Sequence, residues 1–471
     1  MRTSYKAILC SLWIALFLLS CEKDDSPGPE KAPAYTRRVN SFIYEYMKAY
    51  YLWNDRIPEL DRDYEQDPEA YFKKLLVKED LYSHITDDAE DLLNSMQGVE
   101  TTFGYAFTYT WLDETQTKVG AIVSYVYPGS PAALAGIERG DLVSSLNGQA
   151  LTETTLHQLF GQSSITIGVS KYENGFYSAP QTLHLTPARI EENPVYATRK
   201  YELQGTKVGY LCYLNYIGNY NFALDTAFSG FKQAGISELI LDLRYNLGGD
   251  DMAIRHLCSY IAPESSCRSK ELIIRQQYNN DLTEYYKLHH INNDLRFTDS
   301  LLIHNLDLKR IFILTSRDTY SASEATIVGL KPYMEVIQIG QQTGGKDTGL
   351  ALLQPYIEKN GKIILDPTIG NWAILPIISR YQNKEGHSAT GGLSPDYPVD
   401  SFYLPMLALG DPQDPLIAKA LEVISGVTPV RMKSLSSSSF PQPFGYSTSM
   451  YDEIKKNIFI NRTELKHDGA S

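Results

Sequence analysis

Two short segments carry the residues able to do chemistry. The first is Thr315-Ser-Arg-Asp-Thr-Tyr-Ser-Ala-Ser-Glu-Ala-Thr-Ile-Val-Gly-Leu330. Its pattern predicts a strand ending near Thr315 and a helix starting near Ser321. Ser321-x-x-Glu324 fits a capping box, which needs no catalysis. The same position also sets a hydroxyl at the positive end of a helix, where an oxyanion formed during acyl transfer is stabilised. Ser323 is a second hydroxyl in the same run. The other segment is Ile339-Gly-Gln-Gln-Thr-Gly-Gly-Lys-Asp-Thr-Gly349, a glycine-rich loop after a strand, carrying one lysine. Gly340 and Gly345 have the spacing of a phosphate-binding loop. However, Asp347 stands where that loop needs Ser or Thr, so nucleotide binding is set aside. The nine histidines and the cysteines show no CxxC or HExxH spacing. His289-His290 sit in a polar stretch and read as surface residues.

The elements that must position these segments are legible as three parts and a tail. Residues 36–100 read as a helical N-terminal domain: Val39, Phe42, Ile43, Tyr46, Met47 and Tyr50 recur at the spacing of one buried helix face. No catalytic constellation is visible there, which suggests a packing or gating role. Residues 101–190 turn β-rich, with Tyr105–Tyr109, Ala121–Val123 and Ser164–Val169 as strands. Residues 191–425 alternate strands with helices: Lys207–Leu214, Glu238–Arg244, Arg310–Thr315 and Val336–Gly340 are apolar runs, with a helix expected over Asn221–Ala234. Such runs indicate buried strands of an α/β layer fold. Leu350–Ile357 and Lys362–Leu365 read as a hairpin around Asn360-Gly361, and Pro415–Ser425 as a short helix. Residues 426–471 form a tail with a serine linker, and no role is assigned to it.

Between the β runs lies Tyr127-Pro-Gly-Ser-Pro-Ala-Ala-Leu-Ala-Gly-Ile-Glu-Arg-Gly-Asp-Leu-Val-Ser-Ser-Leu-Asn-Gly148: a turn, a short helix with Pro131 at its start, and a strand closed by Asn147-Gly148. It resembles a PDZ domain of the bacterial protease type. Such a domain takes an extended peptide as an added strand and holds its terminal carboxylate in a glycine-containing loop. The matching loop is Phe103-Gly104-Tyr105-Ala106.

Together the two chemical segments resemble the C-terminal processing peptidases, or tail-specific proteases. The family has a Ser-Ala-Ser-Glu run opening a helix and a Thr-x-Gly-Lys turn, with the lysine 25 residues after the serine. Ser321 and Lys346 keep that spacing. Leu241-Asp-Leu-Arg-Tyr-Asn-Leu-Gly-Gly249 and Gly392-Leu-Ser-Pro-Asp-Tyr-Pro-Val399 are two further matches in the same order. The resemblance covers about residues 36–425. It implies a PDZ-like β domain ahead of a crotonase- or Clp-protease-like α/β catalytic core. It also implies Ser321 as nucleophile rather than Ser323, Lys346 as base, and backbone N–H groups of Gly248 and Ala322 as the oxyanion hole. No metal or organic cofactor is implied. An ordinary lysine has a pKa of about 10.4, so under roughly 0.1% is neutral at pH 7, and the amine serves as a base only if burial lowers that value. The family often carries glutamine four residues after the lysine to orient the amine. Leu350 stands there instead, which leaves that orienting partner open. Arg244 and Asn246 read as structural residues shaping the Gly248-Gly249 turn.

The chain's first twenty residues read as an address. Arg2 and Lys6 precede an apolar run, Ile8–Leu19, too short to span a bilayer. Leu18-Leu19-Ser20-Cys21 resembles a bacterial lipobox, which implies lipidation of Cys21 and a lipid-anchored protein in the envelope of a Gram-negative bacterium. Residues 21–35 then form an acidic tether. Of the remaining cysteines, Cys258 and Cys267 could pair or stay as buried thiols. The formal net charge of −13 makes nucleic acid a poor partner. The balance of 43% hydrophobic and 21% charged residues excludes a disordered chain or a multi-pass membrane protein. The 34 tyrosines suit wet peptide-binding surfaces. The expected partners are polypeptides with free C-termini. Two rivals differ in class: a non-catalytic PDZ-containing lipoprotein on a degenerate core, and a lipase or esterase, which would need a G-x-S-x-G that is absent around Ser321.

Overall fold

The computed structural model describes residues 30–426 and 441–448, with the backbone of 458–459. Cys21 and the signal-like run lie outside the described residues. The N-terminal helix Ala34–Tyr50 buries Val39, Phe42, Ile43, Tyr46 and Met47, the face set by their spacing, while Tyr50 stays partly exposed. Asn40 is buried on that face too, because its side-chain amide donates to the carbonyls of Arg62 and Glu65. The helix Pro68–Leu75 starts on Asp67, whose carboxylate accepts from the N–H groups of Glu69 and Ala70.

The PDZ-like sheet runs, in spatial order, Gln181–Leu185, Ile165–Ser170, Leu142–Leu146, Val119–Val126, Tyr105–Trp111 and Gln442–Ser447, all antiparallel. Asn147 and Gly148 both have positive φ, 49° and 79°, the backbone that a two-residue hairpin turn requires. That turn joins Leu142–Leu146 to Gln149–Ala150. The last strand, Gln442–Ser447, belongs to the tail to which the sequence assigned no role. It pairs with Tyr105–Trp111 at the sheet edge. Short strands Val99–Thr102 and Ala188–Glu191 pair at the neck between this domain and the rest.

The α/β core is built on a sheet ordered Val195–Leu203, Thr206–Tyr213, Glu238–Asp242, Arg310–Thr315, Glu335–Gly340 and Tyr397–Pro398, parallel from its second strand onward. Its strands are apolar on both faces because clusters of core side chains cover both. Helix Asn221–Ala234 stops at Gly235, which has φ 68°, and Pro415–Ser425 runs between caps Asp414 and Gly426. A second sheet brings Gly249–Asp250, Ile458–Phe459, Thr348–Leu350, Ile377–Gln382, Leu272–Tyr278 and Leu295–Arg296 together. The expected hairpin around Asn360-Gly361 is shorter than its sequence suggests: Tyr356–Lys359 pairs with Lys362–Leu365. Pro355 cannot donate to the ladder, Leu353 bridges to Ile374 instead, and Leu350 belongs to the second sheet. Cys212, Cys258 and Cys267 are buried free thiols, so the possible Cys258–Cys267 pair does not form.

Candidate active site

Ser321 occupies the sharp turn between strand Arg310–Thr315 and helix Ala322–Leu330. Its φ of 58° and ψ of −106° lie where a side chain is costly, so the surroundings must impose the conformation. They do so through Asn246. The Asn246 carbonyl accepts from Tyr320 N–H at 3.1 Å and from the Ser323 hydroxyl at 3.1 Å. Ser323, the rival nucleophile, thus has its hydroxyl engaged in holding the turn. The Asn246 side chain donates to the Tyr213 carbonyl at 2.8 Å and accepts from Gly248 N–H at 2.9 Å. Asn246 therefore shapes the Gly248-Gly249 turn, as read from sequence. Gly249 is required there: at φ 131°, a Cβ would stand 2.1 Å from the Tyr216 carbonyl oxygen.

Arg244 points the other way, into a fully buried cluster. Its guanidinium meets Asp242 at 2.8 Å and Asp414 at 2.7 Å. Attraction from Arg244 holds the Asp414 carboxyl below its ordinary range against the opposing effect of burial.

Lys346 is buried, at 1% exposure, as is Ser321, at 0%. Gly345, at φ 86°, lets the loop pass close to Gly392, where a Cβ would sit 2.6 Å from the Gly392 nitrogen. Leu393 of the downstream motif brackets the same loop: its N–H donates to Thr343 Oγ1 at 2.8 Å, and its carbonyl accepts Thr343 N–H at 3.1 Å.

Glu324 joins the two segments. Oε2 accepts Ser321 N–H at 2.8 Å and Lys346 N–H at 2.9 Å, so the backbones of both residues flank one oxygen atom. Oε1 accepts the Thr343 hydroxyl at 2.5 Å and Gly345 N–H at 2.7 Å. Burial raises the Glu324 carboxyl to about 7, while these four donors pull it down. On the carbonyl side, the Tyr381 hydroxyl donates to Lys346 O at 3.0 Å and lies 3.4 Å from Ser321 O. Sequence reading identified the Ser321–Glu324 box but not its second set of partners.

Lys346 Nζ lies 4.4 Å from the centre of the Tyr82 ring. Tyr82 comes from the N-terminal helical region, in which no catalytic constellation was visible. That region is stitched into the core beside the lysine: His84–Thr86 pairs with Ala373–Leu375, and Ile377 N–H donates to the Ser83 hydroxyl at 2.8 Å. Leu350, four residues after Lys346, is a fully buried core side chain. A cavity of about 860 Å³ opens beside the two segments, lined among others by Arg317, Tyr320, Gln342, Thr343, Gly344 and Asp400.

In the PDZ-like domain, Phe103, Tyr105 and Ala106 are buried. Gly104, at φ 81°, packs against Ser130, leaving no room for a Cβ. Gly104 N–H donates to Thr102 Oγ1 at 3.2 Å. This domain meets the core through Arg139, whose guanidinium donates to the Tyr245 hydroxyl at 2.8 Å.

Residues 207–399 match the model of peptidase family S41, residues 38–84 the peptidase S41 N-terminal domain, and residues 122–161 the PDZ domain. The chloroplastic C-terminal processing peptidase of Tetradesmus obliquus is 25% identical over 353 residues, covering 72% of this chain and 68% of that one. The carboxyl-terminal-processing protease of Synechocystis is 24% identical over 313 residues, covering 65% and 66% respectively. Among solved structures, a putative S41 protease from Bacteroides fragilis superposes with a TM-score of 0.65 at 27% identity, covering 82% of this chain and 98% of that chain. Among the described residues, no helix is long and apolar enough to cross a membrane. The order of N-terminal domain, PDZ domain and α/β core, with the serine and lysine segments joined through Glu324, makes this chain a member of peptidase family S41, of the C-terminal processing peptidase kind.

Proposed function

We propose that the chain is a serine endopeptidase that engages polypeptide C-termini through its PDZ domain and cuts with a Ser321–Lys346 dyad. The observation that carries this reading is the double grip of Glu324 Oε2 on the backbone N–H groups of Ser321 and Lys346. It brings together two segments that are 25 residues apart in the chain. A serine hydroxyl needs an adjacent base. In this mechanism the neutral Lys346 amine takes the Ser321 proton as Oγ bonds to the scissile carbonyl carbon. The tetrahedral oxyanion then collapses, the C–N bond breaks, and the lysine gives the proton to the leaving amine. Water, deprotonated by the same amine, adds to the acyl carbon; the Oγ–acyl bond then breaks, the acid product leaves, and the lysine returns the proton to Ser321 Oγ. Gly248 and Ala322 N–H groups serve the oxyanion, and loss of one such donor costs about 3–4 kcal/mol. Gly248 N–H donates to Asn246 in the resting structure, so offering it to substrate requires a small rotation of that peptide away from Asn246.

Cys21, lipidated after removal of residues 1–20, would anchor the enzyme in a Gram-negative envelope, with 21–35 as tether. The domain boundaries read from the sequence serve this arrangement: 36–100 helical, 101–190 PDZ, 191–425 peptidase core. The test is cleavage of peptides with apolar C-terminal residues by the full chain. Ser321→Ala and Lys346→Ala are each expected to abolish it, and cleavage unchanged in either variant refutes the dyad. Tight binding without turnover by the unaltered chain would instead identify a non-catalytic PDZ binder.

A further inference from the structure

A PDZ domain accepts its ligand on the free edge of the strand that follows its carboxylate-binding loop. Here that strand is Tyr105–Trp111, with Val119–Val126 on one side. Its other edge is filled by the chain's own tail. Gln442 pairs with Trp111, Gly445 with Tyr109, Tyr446 with Thr108 and Ser447 with Phe107. The tail strand is antiparallel, and its C-terminal end points toward Gly104, the polarity that a terminal carboxylate held in that loop requires. Two aromatic residues anchor it. Phe444 stacks on Trp111 with ring centres 4.5 Å apart. Tyr446, which is buried, stacks on Tyr245 at 5.3 Å.

The same tail also reaches the second sheet. The backbone of Ile458–Phe459 forms a strand between Gly249–Asp250 and Thr348–Leu350, parallel to both. Those strands begin one residue after Gly248 and two after Lys346. The eleven residue-to-residue steps from Ser447 to Ile458 span up to roughly 36–40 Å when extended.

We infer that the C-terminal tail is an internal ligand of the peptide-binding machinery. It occupies the PDZ edge and the slot beside the two catalytic segments, so that an incoming polypeptide must displace it. Its sequence also indicates the partner class: an extended segment with aromatic side chains two residues apart. This inference rests on the peptidase reading above for its consequence in catalysis, although not for the occupancy itself. A tethered occupant acts at an effective concentration in the millimolar range. A free peptide binding with an intrinsic Kd near 0.1 mM would therefore have its affinity weakened about tenfold.

The test uses the full chain carrying Ser321→Ala, so that nothing is cut, and a fluorescent peptide Gln-Pro-Phe-Gly-Tyr-Ser with a free carboxylate. Adding Phe444→Ser and Tyr446→Ser is expected to tighten peptide binding, read by polarisation, about tenfold or more. Amide exchange protection at 107–111 should fall and return when the peptide is added. A chain ending at Gly426 should behave in the same way, which guards against misfolding of the doubly substituted form. A control peptide with alanine at both aromatic positions should not bind. Unchanged affinity and protection in both variants would overturn the inference, as would failure of the aromatic peptide to bind any form. Cleavage is scored separately with Ser321 intact. If the shortened chain cuts nothing while exchange and polarisation respond as expected, the peptidase reading fails and the internal ligand stands. If cleavage depends on Ser321 and Lys346 but tail removal changes neither binding nor rate, the reverse holds.

Discussion

Glu324→Gln isolates the joint between the serine and lysine segments. The substitution preserves shape and turns one acceptor oxygen into a donor. Either the N–H groups of Ser321 and Lys346, or the Thr343 hydroxyl with Gly345 N–H, lose their acceptor. Each unmade buried hydrogen bond costs about 1–3 kcal/mol, so the loss is about 2–6 kcal/mol. That is a large share of a folding free energy of about 5–15 kcal/mol. The same change loosens the placement of the proposed nucleophile and base, where a misplacement of about 1 Å can cost roughly a hundredfold in rate. Peptide cleavage should therefore show kcat down about a hundredfold with KM little changed, while urea unfolding reports the stability loss. The pH dependence offers an independent reading. The Glu324 carboxyl titrates near 7 in the fold, against an ordinary 4.5. Its contribution to stability is therefore fully present below about pH 4.5 and is lost as pH rises through about 7, a change of about 3 kcal/mol. Glu324→Gln cannot titrate, so its unfolding free energy should fall less between pH 5 and 8. A folded Glu324→Gln enzyme with kcat within threefold of the unaltered chain would refute the joint.

Arg244→Met leaves Asp242 and Asp414 buried without their cation, and should cost about 3–5 kcal/mol in urea unfolding; a loss below 1 kcal/mol would show that the cluster is not fully dry. Tyr82→Leu removes the ring face beneath the lysine nitrogen while Tyr82→Phe keeps it. The proposed lysine carries its charge only once it has taken the serine proton, and a cation over a ring gains about 0.5–2 kcal/mol, so kcat should fall several-fold in the leucine variant and little in the phenylalanine one. Equal values in the two variants would refute a positioning role for the ring.

Much of this molecule is written locally. The turn at Asn147-Gly148, the helix Pro415–Ser425 between Asp414 and Gly426, and the parallel strands of the core follow from turn chemistry, caps and apolar runs. The serine segment was legible through its capping box and the lysine segment through its glycines. Tyr82 was not, because its meeting with Lys346 joins elements about 260 residues apart and leaves no periodic trace. Glu324 was read only halfway: a capping box explains one bond and conceals three. The tail strand Gln442–Ser447 contains Pro443 and Gly445, which argue against a strand except at an edge, and an edge is where it lies. Leu350 stands where the family resemblance implies a glutamine, and it is a core side chain. The geometry around the lysine comes instead from aromatic and backbone groups that spacing cannot disclose.

The buried cluster at Arg244 also bears on timing during synthesis. Chains emerge from the ribosome N-terminus first, and Asp414 follows the last of the serine, lysine and downstream motifs. Until it arrives, the guanidinium two residues before Asn246 has only Asp242 as its counter-charge. The buried charge cluster is thus one of the last parts of the core that synthesis can complete.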